Sequence, residues 1–94
     1  MQKFTVMFDD GSVVDAEVRS RDLVRLEAAG VDLDSVPPLR GSYILAHAAL
    51  QRMSRAGQTD VVVPATVEEL MDIADLESAE AVDPKDSGQA PSTG

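Results

Sequence analysis

KFTVMFDDGSVVDAEVR, residues 3–19, alternates apolar and polar side chains almost without interruption. Phe4, Val6 and Phe8 fall on one side of an extended chain, with Lys3 and Thr5 on the other. That period of two is what a half-buried strand requires. Val14, Ala16 and Val18 repeat the pattern against Asp15, Glu17 and Arg19. Between the two runs stands Asp10-Gly11, a pair that accommodates the backbone of a tight hairpin turn. The reading is a β-hairpin over about residues 2–8 and 12–19. Its apolar face needs a cover, which the following residues must supply.

Three helical patterns follow. Ser20 suits an N-cap and Asp22 the positive end of a helix, while Gly30 suits the left-handed position that ends one. A helix is expected over about 21–29, with Leu23, Val24, Leu26 and Ala28 inward and Arg21, Arg25 and Glu27 outward. Pro37-Pro38 closes a connector. A second helix is expected over about 39–56, with Ser42 as a candidate N-cap and Gly57 as its stop. Tyr43, Ala46, His47, Leu50 and Met53 share one face, with Ile44 and Ala48 beside them; Arg40, Gln51, Arg52 and Arg55 fall mainly outside. TDVVVP, residues 59–64, reads as a very short strand or an extended apolar connector. Thr66 and Glu69 form a capping box, opening a third helix over about 66–76 with Val67, Leu70, Met71, Ile73, Ala74 and Leu76 inward. The expected fold is α+β: one small domain over residues 1–76, with an N-terminal β-hairpin packed on about three α-helices. Residues 77–94 are expected to form a disordered, acidic tail rich in Pro, Gly and Ser.

Composition narrows the function classes. The 94 residues include no Cys, which removes disulfides and thiolate metal sites. Asp9 and Asp10 interrupt the N-terminus before an apolar signal core could form, so the expected location is cytoplasmic. The net charge is −9, unevenly spread. Residues 1–57 carry seven Lys/Arg against eight Asp/Glu, whereas residues 58–94 carry Lys85 against nine acids. That balance argues against partners such as nucleic acid or an anionic membrane, and for solubility or attraction to a basic surface.

Sites for chemistry are sparse. His47 lies four residues after Tyr43 on an Ala-rich helix, without a nucleophile or companion ligands at helical spacing; it reads as a packed side chain. Asp32-x-Asp34-Ser35 lacks the Gly turn and distal Glu of a calcium loop. Neither a phosphate-cradling glycine loop nor a nucleophile elbow occurs. The expectation is a non-enzymatic interaction protein with no cofactor and no metal. Arg40, Arg52 and Arg55 read as a solvated face paired to nearby acids. Met7, Met53 and Met71 read as core, although methionine also suits adaptable binding surfaces.

The order of these features resembles a known family. Lys3 to Gly11 gives a K-F-T-V-x-F-x-D-G-like opening. Ser20, Asp22, Leu23 and Arg25 open a helix, and a Pro-containing connector leads to LAHAALQRMSRAG. Val67-Glu68-Glu69-Leu70-Met71-Asp72 supplies an acidic segment, and the chain runs out in Pro-Ser-Thr-Gly. The whole resembles the tail assembly chaperones of long-tailed bacteriophages, particularly those of actinobacterial hosts. That family's Ala-rich helix usually carries Trp or Phe where this chain has Tyr43 or His47.

The resemblance implies a protein that binds the tape measure protein while tail tube protein polymerises around it. Such a protein resides in the host cytoplasm and is absent from the mature virion. It also implies a longer form made by a −1 ribosomal frameshift. Asp83-Pro84-Lys85 can be encoded with a slippery heptamer, C-CCA-AAG. Pro37-Pro38 and Pro38-Leu39 are compatible as well, but slipping there truncates the fold. Pro84 and Lys85 are therefore the candidate frameshift position. Partners on this reading are the tape measure protein, the tail tube protein, the longer frameshifted form and further copies of the chain. Candidate client contacts are Tyr43, Leu50, Met53, Leu70 and Met71. Competing readings are an acidic mimic of nucleic acid, a structural head–tail component and an antitoxin-like protein.

Overall fold

In the computed structural model, which describes residues 2–78, the hairpin forms from β1 (Lys3–Phe8) and β2 (Val13–Glu17), paired antiparallel with Val6 opposite Val14. Gly11 adopts a φ of +94° and its N–H donates to Phe8 O, while the Phe8 N–H donates to Ser12 O. This is the three-residue hairpin loop in which only the last position needs positive φ, and glycine takes it at little steric cost.

β1 has a second neighbour. β3 (Ala74–Ser78) pairs antiparallel with its other edge, placing Leu76 opposite Val6 and Ala74 opposite Phe8, so the sheet order is β2-β1-β3. This corrects the expected helix over 66–76, whose last three residues are strand. Two strands alone make a marginal ribbon, whereas a third strand pairs the open side of β1. The sheet also takes in Glu77 and Ser78, two residues beyond the 1–76 domain. The rest of the expected tail, with Pro84 and Lys85, lies outside the described residues.

Three helices accompany the sheet, α1 (Ser20–Ala28), α2 (Pro38–Arg55) and α3 (Val67–Ile73); α2 and α3 pack against its strands, and α1 packs against α2. Pro38 occupies the first turn of α2, where its missing N–H costs nothing. Ser42 is therefore not the N-cap; its hydroxyl donates to Pro38 O. TDVVVP is a connector without strand pairing. The core joins Phe4, Val6, Phe8, Ala16 and Val18 of the sheet and its exit to Ala46, Ala49 and Leu50 of α2 and Leu70 of α3. Ala46 and Ala49 are completely buried within this core. Among the described residues no helix is long and apolar enough to cross a membrane.

The α1–α2 contact departs from the expected pattern. Val24 is 61% exposed, and Asp22 is instead completely buried. Its carboxylate accepts the Arg19 N–H at 2.9 Å, and Arg19 rather than Ser20 occupies the N-cap position of α1. It also accepts from Arg52 Nε at 3.0 Å and 3.2 Å, while Arg52 Nη2 donates to Glu17 O at 2.7 Å. Arg52 thus corrects the outward placement expected of it. A buried carboxylate needs a paired, hydrogen-bonding cation, and the planar guanidinium supplies one while also satisfying a strand-end carbonyl. Arg40 keeps the expected surface role, paired with Glu68 of α3.

Candidate functional site

Two side chains one turn apart on α2 anchor the segments that face the far end of β1. His47 Nε2 donates to Pro64 O at 2.8 Å, which fixes the ring tautomer because a carbonyl only accepts. The Tyr43 hydroxyl donates to Ala74 O at 2.8 Å, where α3 turns into β3. The Asp9 N–H donates to Ile73 O at 2.8 Å and ties the hairpin loop to the end of α3. At the opposite end of α3, Thr66 Oγ1 accepts from Glu69 N, and Glu69 Oε1 accepts from Thr66 N. Hairpin loop, connector and α3 are therefore each pinned while their outer faces stay free.

Between them lies an open groove of about 1020 Å³. Phe8, Val61, Val63, Pro64 and Ile73 contribute its apolar lining, with Val62, 87% exposed, at its margin. Asp9 and Asp10 stand on the hairpin loop, Asp60 on the connector, and Glu69 and Asp72 one turn apart on α3. No Lys, Arg or His lines it. Among the described residues none of these five acids forms an ion pair. The Asp10 carboxyl is held below its usual value chiefly by the Ser12 backbone N–H, at 2.8 Å. On α2, burial raises the Tyr43 phenol, and the negative charge of Asp75 adds to this. The arrangement is an apolar trough inside a negative field.

The residues singled out from sequence fall elsewhere. Leu50 and Leu70 are completely buried, and their large aliphatic side chains belong to the core. Tyr43 is half-buried and spends its hydroxyl on Ala74. Met53 is half-buried in a shallow hollow with Val14 and Gln58, and Met71 is half-buried on α3. None of the five lines the groove. The sequence signal for the groove was Val61-Val62-Val63 ahead of Pro64, an apolar run outside any periodic element, flanked by Asp60.

The Asp32-x-Asp34 pattern resolves as local capping. Asp32 accepts from the Asp34 N–H and the Ser35 hydroxyl at the start of a single 3₁₀ turn, Leu33–Ser35. Among the described residues no group of three or more His, Cys, Asp or Glu side chains is placed to hold a metal ion. No protein family, curated protein or solved structure matches this chain.

Proposed function

We propose that this protein is a non-enzymatic tail assembly chaperone of a long-tailed bacteriophage, which binds the tape measure protein while tail tube subunits polymerise. The observation that carries the reading is the acid-rimmed apolar groove, taken together with the family-like order of sequence features. A client with long apolar helices needs shielding that releases, and an open groove repeated over several copies provides it through many modest contacts. Tyr43, Met53 and Met71 keep part of their surface accessible and serve as flanking contacts. The net charge of −9 keeps coated complexes soluble and mutually repulsive. On this reading the chaperone acts in the host cytoplasm, is absent from the virion, and shares its fold with a longer product that diverges at Pro84-Lys85.

Co-expression tests the reading. A tape measure protein that aggregates alone should stay soluble and co-purify with this chain. An unchanged insoluble fraction, or recovery of the chain in purified virions, sinks it. The gene itself tests the frameshift: codons at 83–85 that do not form a slippery heptamer remove that part. An acidic mimic of nucleic acid is the competing reading favoured by the net charge. It requires a nucleic-acid-binding protein as target, with capture lost at moderate salt.

A further inference from the structure

We infer that the groove between the hairpin loop, the connector and α3 is built for one amphipathic helix of a partner protein, with Lys or Arg on both flanks of its apolar stripe. The inference rests on the chaperone reading in taking the helix from a partner protein; the kind of helix follows from the groove. Three observations carry it.

The first is electrostatic. Carboxylates stand on all three walls, with Asp9 and Asp10 facing from one side and Glu69 and Asp72 from another, and no cation lies among them. Opposite charge brought to such a rim steers encounter and fixes register, while an acidic or neutral helix gains nothing there.

The second concerns the backbone. The lining comes from the end of β1, its loop, the connector and α3, and no residue of β2 or β3 takes part. The groove therefore offers no edge of the sheet for β-addition, and this favours recognition through side chains. An apolar stripe at helical spacing suits a trough lined by Phe8, Val61, Val63 and Ile73.

The third is size and openness. At about 1020 Å³ the groove sits at the upper end of small-molecule pockets and lies open along the surface. It does not enclose a small ligand, but it accommodates one side of a helix about 10–12 Å across.

The probe is a designed helical peptide of Leu and Lys, its binding measured by fluorescence anisotropy at physiological salt. Asp60→Lys/Asp72→Lys should weaken binding at least about tenfold, because two attractive contacts become repulsive. Glu27→Lys/Asp34→Lys makes the same change in net charge on another exposed surface and should weaken it less than about threefold. A Leu/Gln peptide of the same pattern should bind more weakly than the Leu/Lys peptide. Equal effects of the two double variants, or equal binding of the two peptides, overturn the inference. If the lysine pair disturbs folding by circular dichroism, Asp60→Asn/Asp72→Asn replaces it in the same comparison. Concentration-dependent self-association of the chain alone, abolished by Asp60→Lys/Asp72→Lys, assigns the groove to a second copy seated through Arg21 and Arg25 and also overturns it. Two further results separate the two proposals. Full tape measure binding retained by Asp60→Lys/Asp72→Lys ends the groove assignment and spares the chaperone reading. Groove-dependent peptide binding without any tape measure binding supports the groove chemistry and ends the chaperone reading.

Discussion

Asp22 and the acids of the groove are the same chemistry put to opposite uses. At the α1–α2 contact one carboxylate is completely buried and meets a guanidinium and a backbone N–H. Around the groove five carboxylates are free of ion pairs among the described residues, on walls that are otherwise apolar except for Ser12. The first site uses its charge internally, so removing a partner strands the other group. Among the described residues the second pairs its charge with no cation: Glu69 and Asp10 accept backbone N–H groups, from Thr66 and Ser12.

The contrast breaks most readily at Asp22. Asp22→Ala leaves Arg52 largely buried and unpaired and should cost about 3–5 kcal/mol in urea unfolding. Replacing Asp22 and Arg52 together by Leu and Met should recover much of that loss. A single-variant loss below about 1 kcal/mol refutes the assigned role.

Leu70→Ala should cost about 2–5 kcal/mol, since the side chain is fully enclosed beneath the α3 wall. A variant that keeps its stability but loses client binding marks Leu70 as a contact residue.

Tyr43→Phe removes the hydroxyl that holds Ala74 O and should cost about 0.5–1.5 kcal/mol at neutral pH. Burial raises the folded phenol above its ordinary value of 10.0, so its contribution is complete below that pH and is lost as pH rises through the raised folded value. The phenylalanine variant should lack this alkaline loss. Because Tyr43 is the chain's one tyrosine, phenolate absorbance reports it directly.

The smallest effects belong to the groove. Asp60→Asn and Asp72→Asn should each change stability by less than about 0.5 kcal/mol, in contrast to Asp22→Ala. Thermal unfolding of all three variants in one buffer makes the comparison.

The hairpin and α2 were legible because periods of two and of 3.6 residues survive in KFTVMF and in Tyr43–Met53 without competition. β3 is hidden because Leu70, Ile73, Ala74 and Leu76 fit a helical stripe, and Asp72 and Asp75 between them are residues that strands avoid. The structure ends α3 with extended backbone at Ala74, φ −149° and ψ 150°, without a glycine or proline to announce it. Arg52 was misread for a related reason. Periodicity sends charged residues outward, and only the fold brings Arg52 to the carboxylate of a helix thirty residues earlier. The groove was the least legible feature. Its walls come from three separated segments, and no single window of sequence holds both its apolar lining and its acids.

The position of β3 also sets an order in time. Phe4 pairs with Ser78, so the central strand gains its second neighbour from the far end of the described chain. During synthesis β1 leaves the ribosome early and waits, with one edge unpaired, while everything between is made. An unpaired edge is a template for the wrong strand. Closing so long a loop is an entropic cost met before its contacts are gained, which slows the final step. A chain halted before Ala74 is therefore not a smaller version of this protein but one with its middle strand left at an edge.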